Sequence, residues 1–222
     1  MQNLMTPRLS SNLLSVLDSH GCAQCGVEVL KGARMWGQAT DCLPFPVSHD
    51  CNGAPIAVDS HGNEMHDVLI SLSDENDILA CVWTGVNPGT PVLGLGIDLC
   101  SPQYFEGGRD HQAMQLLDRR ELELARELEP SEYSMGCAKI FGAKEAAFKS
   151  LSAPLRKYSK ANGESLFFEV RSFSMTELGL EAGSSRYGDA KRAMEALGVA
   201  RIAVRLERVD HMAIAVAVAL EE

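Results

Sequence analysis

In "TPRLSSNLLSVLDSHG", Leu9, Leu13, Leu14 and Leu17 recur at helical spacing with Gly21 close behind as a stop, which predicts a helix near the start. An irregular Gly/Pro/Cys-rich region follows, up to about Pro55. "VLISLSDENDILACVW" at 68–83 predicts two short strands around a polar turn at Asp74–Asp77, and "VNPGTP" at 86–91 is the candidate linker. Beyond it the pattern predicts a strand at "VLGLGIDLC", a helix from about Gln112 to Leu128, and a second helix from near Ser134. A strand is expected at "SLFFEVRSF", then a short helix from Asp189 to Leu197 stopped by Gly198. In the closing "RIAVRLERVDHMAIAVAVAL", Ile202, Val204 and Leu206 alternate with Ala203, Arg205 and Glu207, and Met212, Ile214, Val216 and Val218 alternate with alanines. That is a hairpin with one well-packed face.

Strand, polar turn and Ala-rich strand therefore occur at 68–83 and again at 203–218, each closing one half of the chain. The repetition fits a duplicated α+β module divided into 1–91 and 92–222, although two unrelated hairpins would give the same pattern.

With 222 residues and 45% hydrophobic content, the chain can bury one sizeable core or two small ones. The start lacks a basic segment followed by an apolar run, and the apolar stretch at 211–220 is far below the ~20 residues of a membrane span. A soluble cytoplasmic protein with no membrane partner is expected. The net charge of −10 excludes a general nucleic-acid binder. The charge is uneven: up to Asp98 only Arg8, Lys31 and Arg34 stand against eleven acids. Any anion site is then expected in the second half, where Lys144, Lys149, Arg156, Lys157 and Lys160 cluster. A solvated helix face followed by a loop would account for that run equally well.

Gly94, Gly96 and Asp98 share one strand face, while Leu93, Leu95, Ile97 and Leu99 line the other. Glycine inside a strand marks close approach by a ligand or another backbone, and a carboxylate in such apolar surroundings needs a cation, a metal or several donors. Asp98 could instead begin a turn. In "IFGAKEAAFKS", Glu145 and Lys149 lie at i, i+4, which an ordinary ion pair would also explain. Lys144 falls between Ile140 and Phe148, where solvation explains it poorly. A strand Asp and a helix Glu beside basic residues suit Mg²⁺, which takes a few protein oxygens and fills its other positions with water and phosphate oxygens.

"GLGIDL" at 94–99, followed roughly 40–50 residues later by "FGAKEAAFKSL" at 141–151, resembles the paired signature of the 4′-phosphopantetheinyl transferases. The length is similar to the larger, pseudo-duplicated type related to the surfactin-synthetase activator. The resemblance implies two modules, each a small antiparallel sheet packed on a long helix, with coenzyme A in the cleft between them. It implies Asp98 and Glu145 as Mg²⁺ ligands at the coenzyme A pyrophosphate, and Lys144, Lys149, Ser73 and Lys160 as cofactor-binding residues. Glu145 or a water held by the ion would take the proton of the attacking carrier-protein serine, and Lys149 would neutralise the 3′,5′-ADP leaving group. The partners implied are coenzyme A and an acyl or peptidyl carrier protein, docked on the second half near Arg119, Arg120, Arg156 and Lys157, with the enzyme a monomer.

Three positions depart from the family pattern. Ser73 is followed by Asp74 where larger members carry histidine for the coenzyme A 3′-phosphate, Cys100 replaces a second acid, and Ala54 replaces a lysine near the adenine. A catalytically degenerate relative that binds a carrier protein or nucleotide without transfer is the alternative. Cys22 and Cys25 form a lone C-x-x-C, and the spacing of Cys42 and Cys51 does not suit a zinc ribbon, so packed thiols are expected. His49 and His61 are expected in loops, where either could stand in for the missing histidine.

Overall fold

The computed structural model describes residues 24–31, 43–50, 53–106, 115–176, 179–182, 184–185 and 188–222. The expected N-terminal helix, together with Cys22, Cys42 and Cys51, lies outside the described residues.

The fold is α+β, with small antiparallel sheets and one long helix. The first larger sheet orders as β1 (Cys25–Lys31), β5 (Ile78–Gly85) and β4 (Val68–Glu75). The second orders as β11 (Arg201–Val209), β12 (Met212–Leu220) and β6 (Val92–Cys100). Short ribbons pair β2 (Val47–His49) with β3 (Pro55–Ala57), β7 (Phe173–Thr176) with β8 (Gly179–Ala182), and β9 (Ser184–Ser185) with β10 (Gly188–Asp189). Both expected hairpins form. The turn of β4–β5 holds Asn76 at φ 56° and that of β11–β12 holds Asp210 at φ 53°, a left-handed conformation that Asn and Asp tolerate better than most residues.

Four helices are described. α1 (Arg119–Leu128) starts at a capping box in which Asp118 and Glu121 each accept the other's backbone N–H. α2 (Tyr133–Ser150) runs into α3 (Ser152–Asn162) through Leu151, and α3 ends on Gly163 at φ 67°. α4 (Ala190–Leu197) is capped by Asp189 and stopped by Gly198 at φ 71°. The basic run after Lys149 is thus helix, where a loop was one expectation. The strand expected at "SLFFEVRSF" (165–173) does not form: 165–169 have no regular structure, Val170–Ser172 make a 3₁₀ turn, and only Phe173 falls in a strand, at the start of β7.

The strand β12 is buried on both faces. Its Ile and Val residues join Leu95, Ile97 and Leu99 in a core shared with β1 and β5, while Ala215, Ala217 and Ala219 meet the Ala146–Leu151 side of α2. The single packed face expected for this hairpin is corrected accordingly: alanine on the second face is small enough for a helix to lie against it.

Gly94 and Gly96 on β6 allow the same closeness. A Cβ at Gly96 would fall 1.8 Å from the Ala146 carbonyl oxygen, and one at Gly94 would fall 1.9 Å from that of Ser150. The backbone that approaches these glycines is α2 itself.

Candidate active site

The next outward position on that β6 face after the two glycines is Asp98. Where α2 presses onto the glycines, the aspartate projects beside the helix near Gly142, whose missing side chain leaves an added Cβ 3.7 Å from Asp98 Oδ2. Across β6 stands β4. Its alternation turns Ser71 and Ser73 toward β6, where Ser71 Oγ accepts from Ile97 N at 3.1 Å and Ser73 Oγ from Leu99 N at 3.1 Å. These hydroxyls join the two sheets where no strand pairs directly, so the backbone donors are not left unsatisfied.

Ser73 Oγ also donates to Asp98 Oδ1 at 3.1 Å and accepts from Lys149 Nζ at 3.3 Å. Lys149 donates to Asp98 Oδ1 at 2.7 Å and to the Ile97 carbonyl at 3.2 Å. Ser73 has its one donor and both acceptor sites in use. It orients Asp98 and Lys149, a different role from the ligand contact expected of it.

Asp98, Glu145 and Lys149 line one cavity of about 630 Å³, whose walls also include His49, Ala54, Ser73 and Asp74. Burial raises the Asp98 carboxyl above the ordinary carboxylate range although Lys149 and Ser73 pull it down; Glu75 adds to the rise. Glu145 is raised by its own burial and by the charge of Asp98, with Lys149 opposing. Two carboxyls raised first by burial, one of them also by its neighbour's charge, are short of positive charge.

Glu75, a cavity residue that the sequence reading missed, belongs to the same group. It follows Ser71 and Ser73 at two-residue spacing on β4, and that period was the available signal. Tyr104 donates to its two oxygens at 3.0 and 3.1 Å. Cys100, where a second acid was looked for, is buried, and its thiol is held well above its usual range by burial and then by Asp98.

Lys144 does not face this cavity. It is 3% exposed and donates to Glu121 Oε2 at 2.9 Å and to the Leu116 carbonyl at 3.1 Å. Its phosphate role is corrected to a buried structural pair, because helical geometry turns it about 140° from Lys149 and toward α1. Lys160 is also absent from the cavity lining; its ammonium lies 4.0 Å from Glu64 on an exposed side chain. Arg156, expected on a docking surface, instead points to Asp50 at 3.2 Å and Glu64 at 3.1 Å. His49 reaches the cavity wall; His61 does not.

The donor set fits a hard divalent ion in one respect: it consists of carboxylate oxygens. Among the described residues no group of three or more His, Cys, Asp or Glu is arranged to hold a metal. The protein would therefore supply Asp98 and Glu145 only, and a bound ion would depend on water and ligand oxygens for the rest, as Mg²⁺ commonly does.

No protein-family model matches the chain, and no curated protein matches it. Solved structures that overlap it include holo-ACP-synthase from Plasmodium yoelii, at 19% identity and TM-score 0.40 over 59% of this chain and 96% of that one. A holo-(acyl-carrier-protein) synthase from Bacillus anthracis in complex with CoA (3′,5′-ADP) overlaps at 20% identity and TM-score 0.37, over 59% and 98%. The Helicobacter pylori holo-[acyl-carrier-protein] synthase in complex with coenzyme A gives 19% and 0.38, over 56% and 98%. Likeness at this level assigns no activity, and the functional reading rests on the site described above.

Proposed function

We propose that the chain transfers 4′-phosphopantetheine from coenzyme A to a serine of an acyl or peptidyl carrier protein, with Mg²⁺ held by Asp98 and Glu145. The observation that carries this reading is the meeting of Asp98, Glu145 and Lys149 on one cavity from two separate sequence motifs. When bound, the ion supplies the positive charge that a pyrophosphate needs in order to be attacked.

The remaining chemistry falls to the side chains. Glu145, with its carboxyl held above the ordinary range, is suited to take the serine proton as the hydroxyl oxygen bonds to the β-phosphorus. The bond from that phosphorus to the bridging oxygen breaks, and 3′,5′-ADP leaves with the electron pair. Asp98 would help to hold the ion, and the Lys149 ammonium, 2.7 Å from Asp98 in this structure, would neutralise the leaving group. Ser73, hydrogen-bonded to both, keeps Asp98 and Lys149 aimed at the cavity. Arg119, Arg120 and Lys157 remain for an acidic carrier protein, since Arg156 is occupied inside the cavity. The same reading takes the chain as a cytoplasmic monomer of two modules divided at 91/92.

Asp74 and Ala54 on the cavity wall favour a second reading, a relative that binds without transferring. Incubation of the purified chain with labelled coenzyme A, Mg²⁺ and a panel of apo carrier proteins separates the two. Transfer is expected as a pantetheine mass shift on one carrier, lost by about 10³-fold in Glu145→Gln and also lost in Asp98→Asn. Binding of coenzyme A with no shift on any carrier selects the second reading.

A further inference from the structure

Arg156 stands on α3, which continues α2 through Leu151, and reaches the opposite wall of the cavity. That wall is made by the β2–β3 ribbon and the turn after it, which contribute His49, Ala54, Ile56, Glu64 and Met65 to the lining. One terminal nitrogen of Arg156 lies 3.2 Å from Asp50 Oδ2 and the other 3.1 Å from Glu64 Oε1, so a single guanidinium joins both parts of this wall to the helix. Asp50 passes the restraint on. Its other oxygen accepts from Ala54 N at 2.9 Å, and Asp50 N donates to the Ala54 carbonyl at 2.9 Å.

Burial does little to hold this end of the ribbon, because Ser48, His49 and Gly53 are exposed while the buried Phe45, Ala57 and Val58 lie at its base. The ion pairs are better shielded: Arg156, Asp50 and Glu64 have side chains 24%, 10% and 22% exposed, so salt screens them less than a surface pair. With Lys160 at 4.0 Å from the other Glu64 oxygen, two cations face two carboxylates. The group is balanced, which suits it to holding a wall in place and gives it no surplus charge for a phosphate.

Resting on the transfer reading above, we infer that Arg156 is a positioning residue for the donor: it fixes the β2–β3 wall to α3 and preforms the cavity that takes coenzyme A, without itself touching the coenzyme. A wall already fixed in place spares the donor the cost of ordering it. The effect falls on donor affinity and leaves Asp98, Glu145 and Lys149 where they are.

The test measures coenzyme A affinity, kcat and KM on the full chain with Mg²⁺ for Arg156→Met, Arg156→Lys and Glu64→Gln, and follows hydrogen exchange at Ala54 N–H in the ligand-free protein. Arg156→Met is expected to weaken coenzyme A by about tenfold, with the loss in KM and kcat changed by less than about twofold, and to speed Ala54 exchange by about tenfold. Arg156→Lys should fall between it and the wild type, since an ammonium lacks the fork that serves two acids. Glu64→Gln separates holding from binding. It should weaken the donor by about threefold because one arm of the cross-link is lost, whereas an arginine that itself bound phosphate would be freed and the donor would bind more tightly. Unchanged affinity or unchanged Ala54 exchange in Arg156→Met, or tighter binding in Glu64→Gln, overturns this inference and leaves the transfer reading standing. Weaker binding in both variants of a protein that transfers to no carrier upholds the inference and removes the transferase. If the wild type does not bind coenzyme A, both readings fall together.

Discussion

Two lysine–carboxylate pairs hang from α2, five residues apart, and the protein treats them in opposite ways. Toward α1, Lys144 and Glu121 are sealed, with side chains 4% and 0% exposed. Glu121 Oε2 accepts from Lys144 and from Asp118 N at 2.8 Å, and Oε1 accepts from Met175 N at 2.9 Å, so α1, α2 and β7 are joined through one carboxylate. Toward the cavity, Lys149 and Asp98 are 29% and 10% exposed. That pair borders two further acids, Glu145 and Glu75, whose charges it does not balance. A sealed pair with every oxygen served has nothing left to exchange and acts as a clamp. An open pair with unmatched acids nearby can trade its lysine for another cation, and this makes it a candidate for chemistry.

Breaking the sealed pair should give the largest change. Lys144→Met strands a buried carboxylate, and a loss of about 3–5 kcal/mol is expected in urea or thermal unfolding. Adding Glu121→Leu should recover only part of it, since Asp118 N and Met175 N would then lack their acceptor. If Lys144→Met unfolds like the wild type but loses donor binding, the clamp assignment is wrong and this lysine belongs to the site after all.

Lys149→Met should do the reverse. Transfer is expected to fall by about 10²-fold, while stability should fall less than in Lys144→Met, because Asp98 keeps its Ser73 hydrogen bond and the pair is partly exposed. A large stability loss with unchanged turnover would make this a second clamp.

The smallest effect is the pH dependence of the open pair. Asp98 and Glu145 are both raised, so in the window just above the ordinary carboxylate range the folded protein holds protons that the unfolded chain has lost. Metal-free stability should then fall as pH rises through that window. Affinity for Mn²⁺, used as a spectroscopic probe in place of Mg²⁺, should rise over the same window by up to about tenfold per pH unit for each proton displaced. Affinity that is flat with pH would mean that the ion does not replace those protons.

Much of this division was legible along the chain. Gly94, Gly96 and Asp98 at two-residue spacing announced a stripped strand face ending in a carboxylate, and Glu145 with Lys149 announced a polar edge on an apolar helix. The same logic failed for Lys144, because its partner Glu121 belongs to another helix 23 residues earlier and no local period connects them. It missed Glu75, which reads as an ordinary acid flanking a turn until β4 is seen to lie along β6. Arg156 looked like surface charge for the related reason that Asp50, 106 residues away, folds against it.

Local spacing was enough to establish the two hairpins and a stripped face on β6 that something approaches closely, since these follow from backbone period and side-chain size alone. Which carboxylate each lysine meets, and whether water reaches the pair, was decided only when distant segments packed together. Burial and long-range charge depend on neighbours in space, and those neighbours turned one of two similar lysines into a clamp and left the other at a cavity.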